Sequence, residues 1–215
     1  MGNSEQASTG VDERNDCDKN VHIMRGWSTD NKMDVARLYD QAFGHKLAGA
    51  IADENARRQI LANSFIPSYS FSATCEEKLV GIVGFQTTIK GFTQGISLRE
   101  VFKTLGLLKG LKACLVFSLF EYQVAHEELV IEGIAVDDDC RGRGIGTQLI
   151  EKVLSFAAEN HYQCVKLDVI DGNEGAKKLY EQMGFIATKH ETFPYLKWLL
   201  GFSGATTMTY KILSN

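Results

Sequence analysis

The chain has 215 residues, 44% hydrophobic and 23% charged, which suffices to bury one full core and is ordinary for a water-soluble fold. A net charge of −4 argues against a nucleic-acid binder, which usually presents a basic face. Five cysteines (Cys17, Cys75, Cys114, Cys140, Cys164) form no C-x-x-C pair, so reduced thiols, a cytoplasmic location and no metal site are expected.

Residues 1–20 hold five acidic and two basic residues with almost nothing apolar, and are expected to be a disordered acidic tail. They offer no apolar core for a signal peptide, and Gln6 stands where a myristoylation signal wants Ser or Thr. Residues 21–215 read as a single domain. Val21 to Arg25 is a first strand, and Ser28, Thr29 or Asp30 is placed to cap a helix burying Met33, Ala36, Leu38 and Tyr39. A second helix is predicted over Ala50 to Asn63. Tyr69 to Cys75 and Lys78 to Thr88 form an antiparallel hairpin turning at Glu76-Glu77. Gly81 and Gly84 in its second strand mark a bulge or a close backbone approach.

Residues 91–125 read as a helical insertion. Ser97 and Glu100 have capping-box spacing, and the apolar run that follows carries Lys103, Lys109 and Lys112. Those lysines argue against a transmembrane segment, since an ionised group at mid-bilayer costs roughly 2.5 to 3.5 kcal/mol on insertion scales. A lid over a pocket, a homodimer contact, a basic surface helix and simple packing on its own domain all remain open.

Leu129 to Val136 is a buried strand, ended by Asp137-Asp138-Asp139. Arg141-Gly142-Arg143-Gly144-Ile145-Gly146 then opens a helix with apolar residues at Ile145, Leu149, Ile150, Val153, Leu154 and Ala157. Strand, glycine turn and helix start make an anion site, because the first helical N–H groups lack intrahelical partners and the dipole is positive there. Glycines at 142, 144 and 146 let a phosphate approach the backbone, and Arg141 and Arg143 add guanidinium donors. The dinucleotide fingerprint fails at Thr147, where a third glycine belongs, and no Walker lysine follows. Val165 to Ile170 is a further strand, followed by Asn173, Ala176, Leu179-Tyr180 and Gly184-Phe185. Ile186 to Glu191 and Thr206 to Ile212 are closing strands around an apolar loop, Phe193 to Phe202.

The run R-x-x-G-x-G (Arg141, Gly144, Gly146) and the run N-x-x-A-x-x-L-Y-x-x-x-G-F (Asn173 to Phe185) together resemble the GNAT superfamily of N-acetyltransferases, over residues 127 to 190. The resemblance implies an α/β fold, with a mixed central sheet of about six to seven strands flanked by about four helices. It also implies acetyl-CoA as co-substrate. The pyrophosphate would lie on Arg141, Gly142, Arg143, Gly144, Ile145, Gly146 and Thr147, and the pantetheine amides along Ile134, Ala135 and Val136. The splay between that strand and the Asp168 strand would form the slot for the arm. Asn173 would bind the arm, cap the following helix, or both.

Transfer is then direct, from thioester to primary amine. Tyr180, on the i, i+3, i+4, i+7 stripe of Ala176, Leu179 and Met183, is the proton donor, because that position usually faces the CoA sulfur in the family. Glu132, beside Gly133 in an apolar strand, and Asp168, inside another, are the two candidate bases, each also readable as a salt-bridged or hydrogen-bonded edge residue. Glu128 reads as a solvated strand end and His126 as an exposed strand start. Cys140 is the weaker, covalent alternative. Phe43, His45 and Phe65 are acceptor contacts or core packing. The acceptor is a small molecule, a peptide N-terminus or a protein lysine. A competing function is a catalytically inactive acyl-CoA-binding regulatory module.

Overall fold

The computed structural model describes residues 20–48, 51–95, 101–103, 105–106, 110, 124–194 and 202–213, with the side chains of all but His45 and Lys46. The capping-box pair Ser97 and Glu100, most of the insertion and the middle of the 193–202 loop lie outside these residues, as does nearly all of the N-terminal tail. Among the described residues seven strands form one mixed sheet: β1 (Val21–Arg25), β2 (Ser70–Cys75), β3 (Lys78–Gln86), β4 (Glu128–Val136), β5 (Cys164–Ile170), β6 (Ile186–Thr192) and β7 (Gly204–Lys211). Their order is β1-β2-β3-β4-β5-β7-β6, antiparallel throughout except for the parallel β4–β5 pair. Four α-helices are described from end to end, α1 (Lys32–Leu47), α2 (Glu54–Ser64), α3 (Ile145–Glu159) and α4 (Glu174–Gln182), and the described residues 101–103, 105–106 and 110 are helical too. The expected α/β sheet architecture is present, and no described helix is long and apolar enough to cross a membrane.

The hairpin turns at Glu76 and Glu77, both at positive φ (49° and 67°), the twist a two-residue β-turn requires. Gly84 marks a close approach: a Cβ there would lie 2.2 Å from the Phe92 ring. Gly81 faces α3, where a Cβ would meet Ile145 and Leu149 at 3.0 Å. Two apolar layers cover the sheet. One joins Val83, Phe85, Leu129, Ile131, Val165, Leu167 and Met208 to the α3 residues Ile145, Leu149, Ile150, Val153 and Ala157, with Leu179 and Tyr180 of α4 packed against it. The other sets Val35, Ala36, Leu38 and Tyr39 of α1 and Leu61 and Ala62 of α2 on Leu79, Ile82 and Ala135.

The α1 reading needs two corrections. Met33 is 48% exposed, because the buried stripe of the helix runs through Val35, Ala36, Leu38, Tyr39 and Asp40. None of the three candidate caps closes α1: Thr29 and Asp30 sit within a short 3-10 turn, and Asn31 precedes the helix without a side-chain cap bond. The second helix begins later than predicted, at Glu54, because Asp53 caps it by accepting from the Ala56 N–H at 2.6 Å. In the last β-unit β7 pairs with β5 as well as β6, so β6 lies at the edge of the sheet and is exposed along its length.

Candidate active site

The site is a consequence of incomplete strand pairing. The β4–β5 ladder runs from Glu128–Cys164 to Ile131–Leu167 and stops. Residues 132–136 continue along β3, residues 168–170 along β7, and the two strands part. A cleft of about 910 Å³ fills the angle, a size typical of ligand sites. Beyond the split, the open edge of β4 has no strand partner among the described residues, so its outward backbone groups are free of a ladder, the Val136 carbonyl accepting from Arg141 instead.

Glycines shape the entrance. Gly144 is the N-cap of α3 with φ 75°, and Gly142 has φ 76°, a left-handed backbone that other residues adopt only with strain. A Cβ at either would find nothing within 4 Å, and at Gly146 only Val136 at 3.9 Å. The first turn of α3 therefore presents bare amides to the cleft, the arrangement that favours an anion. The Arg141 guanidinium bonds the Val136 carbonyl (3.3 Å) and Asp138 (2.7 Å), which holds it at the cleft wall.

The cleft gathers nearly every residue singled out from the sequence: Glu132, Ile134, Ala135 and Val136 from β4, Arg141, Gly142, Gly144, Ile145, Gly146 and Thr147 from the loop and α3, and Asp168, Asn173 and Tyr180. Arg143 is partly buried and is not among the lining residues. Ala135 and Ile145 are each only 1% exposed, packed in the two core layers. Asn173 caps α4, its side chain accepting from the Ala176 N–H at 3.3 Å. Tyr180 is partly buried on α4, its ring 6.0 Å from that of Phe185. Burial pushes its phenol up to about 12, so it keeps its proton at any neutral pH.

The two candidate carboxylates differ. Glu132 is the extra residue of a bulge, lying between the pairs Ile131–Phe85 and Gly133–Gly84. Its Oε2 accepts the Thr93 N–H at 3.1 Å and its Oε1 the Thr93 hydroxyl at 2.8 Å. Desolvation pushes its carboxyl above the usual range, while the bonds from Thr93 and Phe92 oppose the rise. Gly133 beside it admits two aromatic neighbours: a Cβ there would lie 2.7 Å from the Tyr39 hydroxyl and 3.1 Å from Phe43. Asp168 is exposed and accepts the Thr207 hydroxyl at 2.6 Å.

Other candidates take structural places. Phe65 stacks on Phe92 (4.2 Å) in an aromatic core with Tyr39 and Trp27, whereas Phe43 lines the cleft. The His45 side chain is outside the described set. Glu128 is not simply solvated: it pairs with Lys166 at 2.5 Å, each side chain under a quarter exposed. His126 is exposed in the turn before β4. Cys140 lies in the cleft lining but is only 3% exposed, packed in the α3 core. Sequence reasoning missed Thr93 and Tyr39 as neighbours of Glu132. The only signal was the β-bulge glycine Gly133, which announces a close approach without naming what approaches.

A model of the family described as "Acetyltransferase (GNAT) family" matches residues 34–185. Among curated relatives, "Probable N-acetyltransferase camello" of Xenopus laevis is 32% identical over 87 residues, covering 40% of this chain and 39% of that protein. The matches to two further curated relatives span 24% and 33% of their lengths. The solved N-acetyltransferase from Staphylococcus aureus Mu50 superposes with a TM-score of 0.61 at 18% identity, covering 88% of this chain and all (100%) of that one. The yncA protein of Salmonella typhimurium, solved with its cofactor acetyl-CoA, gives a TM-score of 0.56 at 15% identity, covering 91% and 95%. At these identities the two structures speak for the fold.

Proposed function

The chain belongs to the acetyltransferase (GNAT) family, and from that premise we propose that it is an acetyl-CoA-dependent N-acetyltransferase acting on a primary amine by direct transfer. The observation that carries the reading is the convergence, in one cleft, of a split β4–β5 ladder, a glycine-capped helix N-terminus and a protonated tyrosine. A diphosphate suits the bare amides of α3, and an amide-bearing arm suits the open edge of β4.

Bound there, acetyl-CoA supplies a thioester carbonyl that a neutral amine attacks, the C–N bond forming as the C–S bond breaks. A lysine-type amine titrates near pH 10.4, so only about one in a thousand is neutral at pH 7.4 and a proton acceptor is needed. Glu132 is the better acceptor of the two carboxylates. Partial desolvation raises its basicity, and both its oxygens are held in place. Asp168 is exposed and committed to Thr207, a poorer setting for a base. Tyr180 holds an O–H donor within the same cleft, where the departing thiolate needs one. Cys140 borders the cleft but is only 3% exposed, which gives an acyl group little access to its thiol and supports transfer in a ternary complex.

The acceptor stands open between a small amine, a peptide N-terminus and a protein lysine. A thiol-release assay with acetyl-CoA against a panel of those three amine classes tests the reading. Acceptor-dependent thiol release is expected. Heat of coenzyme A binding without transfer to any amine would leave a regulatory binding module instead, and no binding at all would remove the cofactor.

A further inference from the structure

Thr93 lies just after β3, outside both sequence motifs, yet both its donors end on Glu132. The N–H reaches Oε2 at 3.1 Å and the hydroxyl reaches Oε1 at 2.8 Å. We propose that Thr93 is a positioning residue for the transfer reaction, its two donors, one to each carboxylate oxygen, setting the orientation and proton affinity of Glu132 toward the acceptor amine. The proposal rests on Glu132 being the base, as argued above.

The clamp is held on three sides. Phe92, the preceding residue, is fully buried and stacked on Phe65. Its N–H donates to the Phe85 carbonyl (3.1 Å) and its carbonyl accepts from the Ile66 N–H (2.8 Å), while the Gly95 N–H donates to the Ser64 carbonyl (2.6 Å). Gly91 leaves the room: a Cβ there would come within 3.0 Å of both Glu132 Oε1 and the Gln86 side chain. On the opposite strand the bulge takes Glu132 out of the regular alternation of β4 and turns it to this segment. A backbone N–H alone would fasten the two segments. The added hydroxyl saturates the second oxygen in a partly desolvated cleft, where hydrogen bonds to an anion are strongest.

The other titratable groups around Glu132 do not do this work. Tyr39 of α1, over Gly133, is raised far above neutrality by burial and stays uncharged. Tyr180 of α4 also keeps its proton. Asp168 of β5 shares the cleft but is held by Thr207, and the Lys166 ammonium is paired with Glu128.

Thr93→Val keeps the shape and the N–H and removes only the hydroxyl. Two quantities are read in wild type, Thr93→Val and Thr93→Ser: the Glu132 carboxyl midpoint, by carbon-13 NMR against a Glu132→Gln control, and the acid limb of kcat/KM against pH. Losing a donor to the ionised form raises the midpoint, so both should move up by about one pH unit in Thr93→Val and return in Thr93→Ser. An unmoved carboxyl midpoint overturns the proposal whether or not turnover is measurable. A moved midpoint with a stationary acid limb overturns it too, because the clamp then serves the fold and not the reaction. If wild type transfers acetyl to no amine while the midpoint still moves, the functional reading has failed, the positioning role falls with it, and only the contact survives. Should Thr93→Val not fold, Thr93→Ala gives the same two readings.

Discussion

Ile131 and Leu167 are the last partners of the parallel ladder between β4 and β5, and everything beyond that pair turns away from its neighbour. Continued pairing would have consumed the donors and acceptors along that edge of β4. The split spares those of Ile134 and Val136, the Val136 carbonyl accepting the Arg141 guanidinium while Ala135 bonds toward β3, and it opens onto the first turn of α3. The open strand edge and the helix amides thus line one slot, suited under the proposed function to an extended arm and a diphosphate.

Two glycine substitutions separate backbone strain from ligand contact. Gly144→Glu forces a side chain into φ 75° and sets a negative charge at the helix N-terminus. It should lower stability by about 1 to 2 kcal/mol and abolish coenzyme A binding by calorimetry. Gly146→Ala meets no strain, its nearest protein atom being Val136 at 3.9 Å, and gains about 1 kcal/mol of helix propensity. It should raise the melting temperature while weakening coenzyme A binding about tenfold, because the methyl group stands where a phosphate would approach. Undiminished affinity in Gly146→Ala would move the diphosphate away from this turn.

Tyr180→Phe removes an O–H donor from the cleft without changing its apolar contacts in the α4 layer. Turnover should fall about 100-fold, with coenzyme A affinity unchanged within about twofold. The phenol titrates near 12, so it contributes no basic limb below about pH 10. Any basic limb in wild type must therefore persist in Tyr180→Phe, and its disappearance would mean that the phenol ionises during the reaction.

What the sequence made legible was local. Arg141 to Gly146 and Asn173 to Phe185 are short runs whose spacing alone places a glycine turn, a helix cap and an inward tyrosine, and each lies in the cleft wall or beside it. Gly84 signalled a bulge or a close approach, but its partner Phe92 comes from another part of the chain, as does Tyr39 over Gly133. Thr93 was invisible for the same reason: its meaning depends on a register that brings residue 93 to residue 132. Met33 misled because the helical phase was read from apolar residues alone, while the buried face of α1 includes the charged Asp40.

Glu132 also predicts a pH dependence of stability. Its folded-state affinity for a proton is raised, chiefly by desolvation, so the folded chain holds that proton at pH values where the unfolded chain has lost it. The stabilisation is full below the ordinary carboxylate range and is lost as pH climbs through the raised folded value. Glu132→Gln cannot ionise and lacks this loss. The stability of wild type relative to Glu132→Gln, from urea melts, should therefore decline from pH 4 upward. A difference that grew with pH would show that the Thr93 bonds outweigh desolvation.

Asp40 and Arg57 join α1 to α2. Their side chains are 3% and 9% exposed, and the guanidinium is bidentate on the carboxylate, Nη2 to Oδ2 at 3.1 Å and Nε to Oδ1, while Nη1 donates to the Ile51 carbonyl at 2.9 Å. Arg58 adds a bond to Oδ2 at 3.3 Å, and Gly44 leaves room for the carboxylate. Donating to Asp40 raises the affinity of Arg57 for its proton, and the guanidinium keeps its charge without that partner because it is protonated at any physiological pH. Asp40→Ala then strands a buried cation, at a cost of about 3 to 5 kcal/mol, or about 10 °C in Tm for a chain of this length. Asp40→Leu combined with Arg57→Met removes both charges and should cost less than Asp40→Ala alone. Because α1 carries Tyr39 and Phe43 against Gly133, Asp40→Ala should also raise the acceptor KM at a temperature where it is folded. Coenzyme A affinity should stay as it was, since α3 packs in the other apolar layer of the sheet. A loss of coenzyme A binding equal to the loss in acceptor KM would instead mean that the α1–α2 hairpin supports the whole cleft.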